Sequence, residues 1–192
     1  MRRLVVFNSV SLDGYFVDAH GDMRWAHHST DPEWNDYVAG NAGGGGTLVF
    51  GRVTYQMMAS YWSSALAMAN DPVVAERMNA LPKVVFSRTL REATWSNTTL
   101  VNGDMVAAVK QMKAKPGDGM VIFGSGTVIA QLAQADLIDE FQLVVVPFAL
   151  GGGRTMFDGV TRPLKFNRTS SRSFANGNVV LSYQPIQASR DT

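Results

Sequence analysis

No cysteine occurs among the 192 residues, so disulfides, thiolate metal sites and cysteine nucleophiles are all excluded. Charge of one sign is also missing: 17 Lys and Arg against 16 Asp and Glu leave a net charge of +1. That balance gives no reason to expect nucleic acid or a membrane surface as partner. No apolar run is long enough to span a bilayer. The run that follows the basic Met1-Arg2-Arg3 is interrupted by Asn8 and Ser9 and leads to Asp13 with no small-residue cleavage site, so it reads as a strand and not as a signal peptide. A cytoplasmic protein is the expectation. What remains, 46% hydrophobic and 17% charged, describes an ordinary globule able to bury a sizeable core. Without repeat or linker, it is expected to form one domain over residues 1–186 with a loose polar tail over 187–192.

The pattern along the chain alternates strand and helix. A first strand over residues 4–10 leads into a long loop over 11–29 that is rich in Gly, Asp and aromatics. Thr30-Asp31-Pro32-Glu33 combines a Thr cap, an early proline and a Glu, the elements of a capping box, and Trp34, Tyr37 and Val38 continue as a helical stripe. Glycines 43–46 read as a connector to a strand over 47–50, which is followed by a helix over 53–62 and another opening at Asp71-Pro72. Strands over 84–86, 99–101 and 120–123 then alternate with a helix carrying Met105, Val109 and Met112 on one face. After a helix over 127–135 the pattern changes. Residues 141–146 form a buried strand, and 164–174 with 179–183 flank Asn176-Gly177 as a hairpin. The expected fold is α/β: a mostly parallel mixed sheet flanked by helices, ending antiparallel, with ligands outside the carboxyl ends of the strands.

Three of those strand ends are suited to anions. Val121-Ile122-Phe123 runs into Gly124-Ser125-Gly126-Thr127-Val128, where glycines let the backbone approach an anion and the following helix offers free N–H groups and its positive dipole end. Upstream, Phe50 is followed by Gly51-Arg52-Val53-Thr54 and another helix start. The strand Val84-Val85-Phe86 ends in Ser87-Arg88, a hydroxyl and a guanidinium fork suited to a further phosphate. Neither the dinucleotide fingerprint G-x-G-x-x-G nor the G-x-x-x-x-G-K-[ST] loop is present.

In this order the motifs resemble a known family. Ser11-Leu12-Asp13-Gly14-Tyr15-Phe16, Gly51-Arg52-Val53-Thr54-Tyr55, Val85-Phe86-Ser87-Arg88, Phe123-Gly124-Ser125-Gly126, and Pro147-Phe148-Ala149-Leu150-Gly151-Gly152-Gly153 followed by Phe157 are similar to the ordered motifs of the dihydrofolate-reductase-like superfamily. Within it they look most like the reductase domain of bifunctional riboflavin-biosynthesis deaminase-reductases and their stand-alone relatives. The resemblance implies a three-layer sandwich that binds NADPH along the carboxyl edge of its sheet, acts on a small heterocyclic substrate, and forms a homodimer. It places Arg52 and Thr54, beside Gly51, at one phosphate, Ser87 and Arg88 at the adenosine 2'-phosphate, and Phe123, Gly124, Ser125, Gly126, Thr127 and Val128 at the pyrophosphate. Ser9 and Val10 would lie along the nicotinamide carboxamide, with Phe16 near its ring. Ser125, standing between two glycines, departs from the glycine pair of dihydrofolate reductases.

Chemistry in such a reductase needs positioning and a proton more than reactive side chains. By the spacing Trp25, Asp31, Glu33, the resemblance nominates Asp31 as proton donor, whereas capping and the helix dipole explain Asp31 and Glu33 equally. Asp13 next to Gly14 suits either an Asx-turn or a catalytic substrate contact. Trp25, Glu33 and Pro147 would contact substrate. His27 and His28 lack carboxylates at ligand spacing, so no metal is expected, and they read as loop residues at the pocket mouth. Two function classes stand: an NADPH-dependent reductase of a riboflavin-pathway pyrimidine or pterin-like compound, and a nucleotide-binding sensor or interaction protein that kept the fold without turnover. A flavin-binding protein is a third.

Overall fold

Strands whose residues are apolar on both faces need cover on both faces, and β3 (Thr47–Gly51, TLVFG) and β4 (Lys83–Phe86, KVVF) are such strands, buried throughout except at Gly51. In the computed structural model, which describes residues 1–26, 31–43 and 46–186, they lie inside an eight-stranded sheet. The others are β1 (Leu4–Ser11), β5 (Thr98–Val101), β6 (Met120–Phe123), β7 (Glu140–Val146), β9 (Phe166–Ser173) and β10 (Val179–Pro185), in the order β5-β4-β3-β6-β1-β7-β10-β9. From β5 to β7 every pairing is parallel, and β10 and β9 close the sheet antiparallel. This is the mixed sheet with an antiparallel end that the sequence pattern predicts.

Helices cover the two faces. On one side α2 (Arg52–Trp62) and α4 (Pro72–Ala80) press Tyr55, Val74 and Met78 onto Leu48, Phe50 and Val85. On the other, α5 (Met105–Ala114) and α6 (Gly126–Gln134) bring Val109, Ile129 and Leu132 against Val6, Val49, Val84 and Ile122. The alternation of β3 and β4 residues between these clusters is the period-2 rule of a strand buried on both faces. Truncating a fully buried ring such as Phe50 to Ala is worth about 3–5 kcal/mol. A third cluster joins α1 (Pro32–Gly43) to the β9–β10 hairpin through Trp34, Phe174 and Val180, with the Trp34 and Phe174 rings edge to face at 5.0 Å.

Several details differ from the sequence pattern. The segment 11–29, expected as loop, contains β2 (Tyr15–Val17) and a 3-10 turn (Arg24–Ala26). β2 pairs with β8 (Arg154–Thr155), a partner so distant in sequence that no local periodicity could show it. A short α3 (Ala65–Asn70), capped by the Ser64 hydroxyl, intervenes before α4. The expected Thr30 cap, the His27-His28 pair, Gly44 and Gly45 of the connector and the 187–192 tail lie outside the described residues.

One buried cation links the layers. Lys83 opens β4 with 1% of its surface exposed, and its ammonium donates to the carbonyls of Asn79 (3.0 Å), Leu81 (2.6 Å) and Ser96 (3.1 Å). It also lies 4.5 Å from the centre of the Trp95 ring. The ammonium thus closes the carboxyl end of α4, whose last carbonyls have no helical partner. Burial lowers Lys83 from 10.5 to about 8. Below that pH both states carry the proton and folding bears the whole desolvation cost. Between about 8 and 10.5 the unfolded chain holds more protons than the folded one, so stability rises with pH. The expected outcome is a urea midpoint that climbs between pH 8 and 10 in the wild type and climbs less in Lys83→Met.

Candidate active-site cleft

Parallel strands end on one edge, and so the amino termini of the helices that follow them gather there. Along that edge, at the ends of β3, β4, β5 and β6, runs a cleft of ≈ 810 Å³. It brings together many of the residues nominated from sequence: Phe16, Gly51, Arg52, Thr54, Ser87, Arg88, Ser125, Gly126, Thr127 and Val128 all line it.

Two helix starts on this cleft are left open. α2 begins after Gly51 and α6 after Ser125, and neither has a side-chain cap. Elsewhere Ser64, Asp71 and Asp104 cap α3, α4 and α5 through their own oxygens. Open starts keep backbone N–H groups and dipole charge available to an anion. The two turns are also tied to each other: the Gly51 amide donates to the Ser125 hydroxyl at 2.7 Å. Ser125 adopts a left-handed backbone, φ 61 and ψ 58, which a non-glycine residue accepts at a cost of about 1–2 kcal/mol. The bond to Gly51 offsets part of that cost and fixes the spacing between both helix starts.

Positive charge meets them from three sides. Arg52 opens α2 and holds Gln56 at 3.0 Å; Arg88 follows β4; Arg154 stands on β8. Among the described residues none of the three has a carboxylate partner, whereas Arg3, Arg162 and Arg172 pair with Glu140, Asp136 and Glu33. The Ser87 oxygen accepts from the amides of Thr89 (3.1 Å) and Leu90 (2.9 Å), shaping the turn that carries Arg88. Sequence reasoning missed Arg154, Asn102 and Gly103 as lining residues. Arg154 follows three glycines, and only the β2–β8 pairing turns it toward the cleft.

Other nominated residues lie away from this lining. Ser9 and Val10 sit on β1, which pairs with β6 only over Leu4 to Phe7 but with β7 as far as Ser11. β1 therefore outruns β6, and Ser9 and Val10 pair with Val144 and Val145 of β7 but with no residue of β6. Asp13 is exposed and braces two loops: it accepts from the Ser11 hydroxyl (2.6 Å) and from the amides of Leu150 (3.1 Å) and Gly151 (2.7 Å). The Ser11 hydroxyl first, then those two amides, hold its carboxyl at about 2. Asp31 accepts from the amides of Glu33 (3.0 Å) and Trp34 (3.4 Å) at the start of α1 and from the amide of Asn176 (3.1 Å) in the hairpin turn. Glu33 meets Arg172 at 2.7 Å, Trp25 stacks on Phe148 at 6.2 Å, and Pro147 is exposed beside Gly177. Among the described residues no group of His, Asp and Glu could hold a metal ion.

A family model for the RibD C-terminal domain matches residues 2–180. The chain belongs to that family. It is similar to a Shewanella sp. PV-4 protein named for riboflavin biosynthesis, at 27% identity and a TM-score of 0.76, over 96% of this chain and 99% of that one. A diaminohydroxyphosphoribosylaminopyrimidine deaminase/5-amino-6-(5-phosphoribosylamino)uracil reductase of Thermotoga maritima shares the fold at 15% identity and a TM-score of 0.68, over 96% of this chain and 57% of that one. So does the dihydrofolate reductase of Enterococcus faecalis solved with NADP(H), at 12% identity and 0.61, over 96% and 97%. The dihydrofolate-reductase-like sandwich and the riboflavin-branch resemblance are thus both borne out, and the family is reductase-like.

The first residue of α6 sets how closely the loops can approach this cleft. A Cβ on Gly126 would lie 2.8 Å from two ring carbons of Phe16, which is buried. Gly126→Ala should therefore cost about 1–3 kcal/mol by overpacking, read from urea unfolding. Phe16→Leu placed in the same chain should recover part of that loss, and simple additivity of the two changes would show that the ring is not the obstacle.

Proposed function

We propose that the chain is an NADPH-dependent reductase of a small heterocyclic compound, a riboflavin-pathway pyrimidine or a pterin-like ring. The observation that carries this reading is the convergence on one cleft of two uncapped helix starts and three arginines that have no carboxylate partner among the described residues. A dinucleotide with a pyrophosphate and a further ribose phosphate fits that donor set. Gly51, Arg52 and Thr54 would hold phosphate at α2, Gly124 to Val128 the pyrophosphate at α6, and Ser87 with Arg88 the 2'-phosphate. Reduced nicotinamide supplies the hydride. The Ser9-Val10 backbone, which pairs with β7 but not with β6, would orient the carboxamide, and Phe16 would shield the ring from water.

Asp13, held at about 2, is an anion at neutral pH and holds the loops in place. Asp31, the remaining nominated proton donor, accepts from the amides of Glu33, Trp34 and Asn176 and is not among the residues that line the cleft. We therefore assign the proton to solvent at the end of β1. The reading carries a homodimer with it, supported by β9 standing at the edge of the sheet. No described helix is long and apolar enough to cross a membrane.

NADPH should bind more tightly than NADH, because each charge-assisted contact to the extra phosphate contributes on the order of 1.5–3 kcal/mol. Arg88→Ala should erase that preference; equal affinities in the wild type would remove the 2'-phosphate assignment. NADPH oxidation with a panel of oxidised pyrimidines and pterins tests turnover.

Asp31→Asn separates brace from catalyst. Asn offers one oxygen where Asp offers two, so either the cap or the Asn176 link weakens, at about 1 kcal/mol in thermal or urea unfolding. As a brace, kcat/KM stays within about threefold of wild type; a loss of about a hundredfold with NADPH affinity unchanged would make Asp31 the proton donor instead.

A further inference from the structure

The donor set assigned above to the pyrophosphate consists of backbone amides and hydroxyls alone. The turn Gly124 to Val128 carries no cation, while a pyrophosphate carries charge on both phosphates. Arg52 and Arg88 belong to the α2 start and to the end of β4. Arg154 is the cation left over, and its position follows from the β2–β8 pair.

Four features hold that pair over the α6 start. Val17 pairs with Arg154 and Tyr15 with Thr155. Gly153, at φ +146, passes so close that a Cβ there would lie 2.1 Å from the Val17 carbonyl oxygen, so β8 can meet β2 only through glycine. The Asp13 carboxylate grips the amides of Leu150 and Gly151, and the Leu12 amide donates to the Phe148 carbonyl at 2.8 Å. Phe16, the central residue of β2, rests on Gly126, the first residue of α6. The Arg154 guanidinium lies 6.0 Å from the centre of that same Phe16 ring, and its side chain is exposed to the cleft with no carboxylate partner among the described residues. The same ring thus touches the first residue of α6 and lies near the guanidinium.

We propose that Arg154 is a cofactor-binding residue that closes on the pyrophosphate from the β2–β8 side, opposite the α6 amides. This rests on the nucleotide reading of the cleft. A guanidinium fork facing backbone amides across a phosphate gives the anion donors on both sides, and the Phe16 face keeps the cation at the site while it is empty of anion. Loops 11–17 and 147–155 then become part of the cofactor site through their tie at Asp13, and nucleotide binding rigidifies the walls of the substrate pocket.

The test is direct binding by wild type, Arg154→Ala, Arg154→Lys and Arg88→Ala to NADPH, NADH and adenosine 2'-monophosphate, with thermal unfolding as control. The expected result is that Arg154→Ala weakens NADPH and NADH alike, by about tenfold or more, so that their ratio is that of the wild type. Adenosine 2'-monophosphate, which has no pyrophosphate, should bind it as it binds the wild type, Arg154→Lys should recover part of the loss, and Arg88→Ala should instead change the ratio. Wild-type affinity for both dinucleotides in a folded Arg154→Ala overturns the proposal, as does a loss confined to NADPH, which would make Arg154 a reader of the 2'-phosphate. A wild type that binds neither dinucleotide overturns the reductase reading itself.

Discussion

The two open helix starts on the cleft are held to each other by the hydrogen bond between the Gly51 amide and the Ser125 hydroxyl. It joins the turn after β3 to the turn after β6, two strands that are themselves neighbours in the sheet. Parallel pairing brings the two helix starts to the same edge, but it leaves each turn its own conformational freedom. A hydroxyl shared between them removes that freedom. Ser125 accepts a left-handed backbone to place its oxygen there, and α6 begins at Gly126 as a result. The strain is local, and what it secures is the common orientation of two sets of open amides.

The sheet was legible because parallel strands advertise themselves. Leu48 to Phe50 and Val84 to Phe86 are continuous apolar runs ending in Gly51 and Ser87, too short for a helix and set between helical patterns. The uncapped helix starts after β3 and β6 were legible for a related reason, since glycine at a strand end is a local signal. The β2–β8 pair was not. Tyr15, Phe16 and Val17 carry no alternation long enough to call a strand, and Arg154-Thr155 is two residues long. Their pairing is dictated by the Asp13 grip on Leu150 and Gly151 and by the close pass of Gly153, contacts between segments more than a hundred residues apart. Arg154 was invisible from sequence for that reason.

The two aspartates illustrate the same limit from another side. Asp13 beside Gly14 supported an Asx-turn and a substrate contact equally, and the structure gives it a third task, receiving amides from a distant loop. Asp31 was legible as a helix-start residue, and its amides from Glu33 and Trp34 agree with that. Its bond to Asn176 needed the hairpin to fold back onto α1, which the Trp34 and Phe174 packing enforces. A carboxylate's chemistry follows from which donors reach it, and donors from distant segments are unreadable in a single sequence.

Net charge shows where electrostatic reasoning has to be done. At +1 the chain as a whole has no field to speak of, yet the cleft holds Arg52, Arg88 and Arg154. The difference is made by pairing. Arg3, Arg162 and Arg172 are each answered by a carboxylate, so their charge is spent locally. The acids that line the cleft are engaged as well: Asp104 accepts from the Ala107 amide as the cap of α5, and Asp158 accepts from the Thr155 hydroxyl. One oxygen of each is taken up by a neighbouring protein donor, whereas none of the three arginines has a carboxylate partner among the described residues. A cleft focuses the field of the charges that line it, so a chain with a net charge of only +1 can still present a locally positive cleft, because its charges are sorted and not because they are many.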